Sequence, residues 1–489
     1  MRSRSLVLVL AFGLGGCARE NSTRKEPILA LEPCHLKAPG LPVRLPADCG
    51  IWTVPEDRSR PDERKIDLRV AVVRAVSRSP APDPLVFLTG GPGQAATESY
   101  PALHPAFRRV NRDRDIVLVD QRGTGGSNAL RCPETDGLDP ALFDESAVAP
   151  WVEECLSALH GDPRFYTTAI AMDDLDEVRE ALGYETVNLY GVSYGTRAAL
   201  SYMRKYPSRV RAVVLDGVAP PTEALGLDVA RDAQRALDVM MARCASEPPC
   251  RGAFPDLKED LDRLLLRLAE PVSVSLRHPR SGAMVTLPLA REMAAYAIRL
   301  LSYSQETQSL IPVVLDAAAS GDYQPLAAQF LLTTAQVQET VAEGMSLSVV
   351  CAEDFPFYEP SLIQEKNRDT YLGEMSTQSL ARVCPLWPRA AIPDDFKNPV
   401  RSEAPVLLLS GEADPVTPPE NAELVRAELG KGALHLVAPG QGHVVIHRGC
   451  IADLAAEFIE ASSHEGLDTS CVARIAPQAF FVDFNGPAP

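Results

Sequence analysis

Positive charge is scarce in this chain. Its 489 residues carry 48 Lys and Arg against 65 Asp and Glu, a formal net charge of −17. A phosphate backbone is bound by a basic surface, so nucleic acid is excluded as the expected partner. The acidity itself calls for no cationic partner, because net charge of either sign keeps a protein soluble. Beyond the first residues there is no charge-free apolar run long enough to cross a bilayer as a helix. Cys-x-x-Cys is absent and the cysteine spacings do not fit a zinc site. The glycine runs match neither G-x-G-x-x-G nor G-x-x-x-x-G-K, the patterns that cradle phosphates. No metal and no cofactor are expected, and no internal repeat or low-complexity tract points to a solenoid.

What is present is ordinary globular composition, 46% apolar and 23% charged. The length suits two domains, or one large domain with an insertion. The start reads as a leader: Arg2 and Arg4, an apolar run from Leu6 to Leu14, then Gly15 and Gly16 before Cys17. That run is too short for a mature membrane span but fits the core of a signal peptide. Leu14-Gly-Gly-Cys17 resembles a bacterial lipobox, which implies a diacylglycerol thioether on Cys17 as the mature N-terminus; the alternative is a plain secretory signal. Residues 1–17 are then leader and 18–48 a tether and N-terminal extension. The expected location is the cell envelope, facing the periplasm or exterior, with membrane contact only through the anchor. Ten further cysteines, an even number in an exported chain, suggest disulfides. The expected bridges join neighbours: Cys34–Cys49, Cys132–Cys155, Cys244–Cys250, Cys351–Cys384 and Cys450–Cys471. Closing loops of this size stabilises by about 3 kcal/mol each in a chain-entropy model.

From 49 to 219, short apolar runs alternate with helical patterns, the grammar of a parallel sheet built from βα units. Residues 85–88, 115–120, 187–190 and 211–216 read as buried strands, and 172–182 and 196–206 as helices. Residues 66–76 alternate and fit an antiparallel edge strand. From 220 to 399 strand signals almost vanish, and helical patterns over 257–268, 291–301 and 326–341 read as an inserted cap. Strands at 405–409 and 434–437 and a helix at 451–461 then complete the core over 400–489. The expected fold class is α/β: a mostly parallel, doubly wound sheet with a helical cap.

Gly191-Val-Ser-Tyr-Gly195 matches G-x-S-x-G between a strand and a helix, the setting that motif requires. A sharp turn strains Ser193, and side chains at 191 or 195 would collide with backbone. A serine nucleophile needs a base, and the base an orienting carboxylate. Asp414 follows the strand at 405–409 and His443 the strand at 434–437, so all three side chains leave the same sheet edge. Glu412 is the alternative acid; His435 and His447 are the alternative histidines, the latter also conceivable with His443 as a two-histidine metal site. Thr89-Gly-Gly-Pro-Gly93 would help hold the oxyanion, with N–H donors from Gly91 and from Tyr194.

These motifs, with Asp120-Gln-Arg-Gly-Thr-Gly-Gly-Ser127, resemble the α/β-hydrolases of the proline iminopeptidase and tripeptidyl aminopeptidase type. The resemblance spans about residues 50–460, and the segments around Cys351-Ala-Glu-Asp-Phe355 and Cys384-Pro-Leu-Trp387 look most like exported tripeptidyl aminopeptidases. It implies a serine hydrolase cleaving short peptides from a free N-terminus through an acyl-enzyme. Glu353 and Asp354 are then the candidates for the substrate ammonium; alternatively they are surface charges or caps beside a disulfide. Thr89 stands where the iminopeptidases have His, which loosens the tie to proline specificity. The alternative function is a carboxylesterase or amidase of small acyl substrates using the same triad.

Overall fold

The computed structural model describes residues 27–133 and 145–487, so Cys17 and the leader lie outside the described residues. The strands run in chain order β1 (Glu32–Lys37), β2 (Arg44–Pro55), β3 (Lys65–Val73), β4 (Leu85–Leu88), β5 (Ile116–Val119), β6 (Val187–Val192), β7 (Val210–Asp216), β8 (Val272–Arg277), β9 (Met284–Leu289), β10 (Val406–Gly411) and β11 (Ala433–Ala438). Nine of them form one sheet, ordered β1-β2-β3-β5-β4-β6-β7-β10-β11. Neighbours pair parallel from β5 through to β11, while β1, β2 and β3 are antiparallel.

Continuous apolar strands make sense in this sheet because both faces are covered. Period-two alternation sends Val86, Val117, Val213 and Leu408 to one core and Phe87, Leu118, Val214 and Leu407 to the other. Each such side chain contributes about 1.5–3 kcal/mol on burial. The parallel strands all point their carboxyl ends to one edge, and every candidate loop of the sequence leaves from it.

The sheet reaches further toward the N-terminus than the sequence suggested. Residues 32–55, expected to be mostly tether, form the β1–β2 hairpin, clasped by Cys34–Cys49. β3 is therefore an interior strand rather than the edge. Prolines at 33, 42 and 46 obscured the alternation there.

Between β7 and β10 the chain builds the cap. Its helices, among them Val229–Ser246, Leu257–Arg267, Arg291–Leu301 and Gln324–Thr340, share a separate apolar core. A hairpin of β8 and β9 sits within it, where strand signals had been thought nearly absent. The final segment does not stay with the sheet. Phe480 enters the cap core with the Arg243 guanidinium 3.8 Å from its ring centre, and the Phe481 N–H donates to Ser309 O. All five expected bridges form, and five disulfides are the mark of a protein exported to an oxidising compartment.

Candidate active site

Ser193 sits between the end of β6 and the helix Tyr194–Lys205, with φ 56° and ψ −126°. A positive φ is costly for a residue with a side chain and is kept where the surroundings over-determine it. The surroundings here are tight. A Cβ at Gly195 would lie 2.1 Å from Leu88 O, and one at Gly191 would lie 2.4 Å from Gly195 O. The glycine loop presses on the same point, since a Cβ at Gly90 would be 3.2 Å from the Ser193 Cβ. Gly91 is exposed at φ 108°. Tyr194 opens the helix, so its N–H has no partner within that helix.

Asp414 is fully buried. Its Oδ1 accepts from the N–H groups of Val416 (2.8 Å) and Thr417 (2.9 Å). Its Oδ2 accepts from Thr417 Oγ1 (2.9 Å) and lies 2.7 Å from His443 Nδ1. A carboxylate at Nδ1 holds the proton there and leaves Nε2 as the basic nitrogen. Burial pushes the imidazole pKa down, but the charge and hydrogen bond of Asp414 outweigh it, and the net shift is upward. The alternatives are engaged elsewhere. Glu412 accepts from the Gly440 N–H at 2.7 Å. His435 is held in its strand between Glu423 (2.6 Å) and Ser410 Oγ (2.9 Å). Partial desolvation of the His447 ring, with Arg448 beside it, lowers its pKa to about 4.

The Ser193 backbone and the His443 loop are both held by two residues that the sequence reading passed over, Asp216 and Gly217 at the end of β7. The Ser193 N–H donates to Asp216 O at 2.9 Å. The Asp216 carboxylate accepts from Val445 N–H (2.9 Å), Ile446 N–H (2.9 Å) and Tyr190 OH (2.9 Å). Between these anchors and His443 lies Val444 at φ 69°, a strained geometry for a β-branched residue. Gly217, at φ 68°, lies under the imidazole: a Cβ there would be 2.9 Å from His443 Cε1. One short stretch thus fixes both the Ser193 backbone and the loop that carries His443. Burial raises the Asp216 carboxyl to about 6 against the opposing hydrogen bonds. The sequence signal was an acid and a glycine closing an apolar strand. The cap contributes as well: the His443 N–H donates to Tyr303 O at 2.7 Å, and the Tyr303 ring meets the imidazole edge-on at 5.5 Å.

Glu353 and Asp354 are both fully buried, and the structure separates them. Asp354 Oδ1 accepts from Arg197 Nη1 (2.7 Å), Lys397 Nζ (2.7 Å) and the Leu225 N–H (2.9 Å). Its expected role as an ammonium acceptor is corrected on that ground, because two cations already neutralise it. Glu353 accepts from the Thr168 N–H (2.7 Å) and Oγ1 (2.8 Å), and Thr168 Oγ1 bonds the Tyr194 hydroxyl at 2.6 Å. Burial, with the neighbouring Asp354 charge, lifts the Glu353 carboxyl to about 7. Arg122 is fully buried and bonds Asp174 through Nε (2.6 Å) and Nη2 (2.7 Å), with Nη1 reaching Glu56 O and Phe165 O at 2.9 Å each; it ties loops together away from the serine.

A family described as alpha/beta hydrolase fold matches residues 83–268, and one described as TAP-like protein matches residues 370–471. The chain is 24% identical to the serine protease Hip1 of Mycobacterium tuberculosis, over 91% of both chains. It is 30% identical to the tripeptidyl aminopeptidase of Streptomyces lividans over 36% of each. To the proline iminopeptidase of Neisseria meningitidis it is 29% identical, over 32% of this chain and 41% of that one. With a mostly parallel sheet, a serine on a strand-to-helix turn and these matches, the chain has the α/β-hydrolase fold and is similar to peptidases of that fold.

Proposed function

We propose that this protein is a serine exopeptidase that cleaves short peptides from a free N-terminus. The observation that carries the reading is the joint anchoring of Ser193 and His443 on Asp216–Gly217, with Asp414 2.7 Å behind the imidazole. Ser193 Oγ attacks the scissile carbonyl while His443 Nε2 takes its proton. The N–H groups of Gly91 and Tyr194 hold the oxyanion of the tetrahedral intermediate. His443 then gives the proton to the leaving amine, and water releases the acyl group by the same steps in reverse. Asp414 keeps the imidazole in the productive tautomer. No metal or cofactor takes part in this scheme. Glu353 is the candidate for the substrate ammonium: burial raises its carboxyl to about 7, and a cation arriving beside it would favour the ionised form. The envelope location, with Cys17 lipidated, belongs to the same proposal and is tested by loss of detergent partitioning in Cys17→Ser.

One observation favours the second reading, a carboxylesterase or amidase of small acyl substrates: Glu353 and Asp354 both have no exposed surface. A peptide-anilide with a free or an acetylated N-terminus separates the two. Loss of at least about tenfold in kcat/KM on acetylation supports the exopeptidase. Equal rates assign an esterase or amidase.

A further inference from the structure

Arg299, in the cap helix Arg291–Leu301, stands one aromatic ring from the proposed base. Its Nη2 donates to the Tyr303 hydroxyl at 2.9 Å, and the guanidinium carbon is 5.3 Å from that ring's centre. The same ring meets His443 edge-on, and the Arg299 charge acts on the imidazole by lowering its pKa. Tyr296 and Tyr371 complete the surroundings of the guanidinium. Arg299 Nε is buried and donates to nothing, the buried Tyr371 hydroxyl has no partner, and among the described residues no carboxylate pairs with Arg299.

The fully buried arginines are treated differently. The guanidinium groups of Arg122 and Arg197 are fully buried, and each holds a carboxylate, Asp174 and Asp354. Acidic residues are in excess, yet none is placed at Arg299. A desolvated guanidinium without an anion is unfavourable, and its planar fork fits a carboxylate in two parallel hydrogen bonds. Arg299, Tyr303, His443 and Ser193 all keep some exposed surface.

We propose that Arg299, with the Tyr371 hydroxyl, forms a carboxylate subsite for the leaving portion of the substrate. The side follows from the chemistry, and rests on the function proposed above. The base that protonates the leaving amine must lie against the leaving portion. A cation one ring beyond that base holds an anionic group a residue or two past the scissile bond. The carboxylate comes from the C-terminus of a short peptide or from an acidic side chain, and the C-terminus is the source to which the proposal commits. With Glu353 toward the acyl side, the crevice then matches a short zwitterion.

The test uses the intact exported protein and needs no knowledge of the natural substrate. p-Nitrophenyl acetate hydrolysis reports occupancy under either functional reading, and the probes are alanylalanine, alanylalaninamide and alanylglutamic acid diamide (both carboxyls as amides) alongside alanylglutamic acid α-amide. Alanylalanine is expected to inhibit at least about tenfold more tightly than its amide. In Arg299→Gln that ratio falls to near one, and Arg299→Lys restores part of it; the ratio is internal to each enzyme. Equal inhibition by acid and amide in the wild-type protein overturns the proposal, whatever the variants do. Tight inhibition by the side-chain acid with none by the free C-terminus also overturns the committed source. Failure of the acetylation comparison leaves these inhibition ratios readable, so the two readings fail separately.

Discussion

At the sheet edge, Asp414 and Asp216 are fully buried and each accepts from at least three donors of this chain. In the cap, the Arg299 Nε and the Tyr371 hydroxyl are buried and without a partner, so a donor on each is left unused. The two regions differ in what completes them. The groups of the proposed triad are organised by the chain alone, as preorganised catalysis requires, because reorienting them during the reaction would raise the barrier. Under the proposed carboxylate subsite, the unused donors of the cap are completed by the ligand.

The comparison is broken most severely by Ser193→Ala. kcat/KM should fall by at least about 10⁴-fold, and fluorophosphonate labelling should disappear. Retained labelling would mean another nucleophile. Next is Asp216→Asn, which keeps the side-chain volume but sets an amide N–H₂ against backbone N–H groups. Loosening the His443 loop should lower kcat about 10–100-fold with little change in KM. Thermal unfolding should show a loss of about 1–3 kcal/mol. A fall in stability with kcat intact would make Asp216 a structural residue only.

The pH profile sharpens the same point. The base works only as the neutral imidazole, and its pKa in the folded protein lies above the usual value because of Asp414. kcat/KM should therefore fall about tenfold per pH unit below a midpoint higher than about 6.5. Asp414→Asn should move that limb to lower pH; an unmoved limb would assign it to another group.

The smallest effect tests the join between core and cap. Arg448, shortly after His443, forms a bidentate pair with cap residue Glu306 at 2.7 and 2.8 Å. The Arg448 hydrogen bond lowers the Glu306 pKa to about 2. A depressed acid contributes stability above its unfolded pKa, and the contribution is lost as pH falls from there through the folded value. Glu306 is 58% exposed, so solvent screens the pair, and Glu306→Gln should cost less than about 1 kcal/mol, less still at high salt.

How much of this was legible depended on how local the cause was. The five cysteine pairs, the buried strands at 85–88 and 116–119 and the helices at 291–301 and 451–461 follow from neighbours in the chain. The β1–β2 hairpin was hidden by prolines that an outer antiparallel hairpin tolerates, and the β8–β9 hairpin by its shortness among helices. Asp354 read as an available acid because sequence shows a charge but not its partners, Arg197 and Lys397, which lie 157 and 43 residues away.

By itself, the sequence determined the fold class and the loop from which each reacting residue emerges. The reason is that strand periodicity, turn glycines and capping act over a few residues. Only the tertiary structure decided which acid would be spent on structure, that Asp216 and Gly217 would hold both the Ser193 backbone and the His443 loop, and that the Arg299 Nε would be buried without a partner. Those outcomes depend on desolvation and on contacts between segments distant along the chain, which no local pattern encodes.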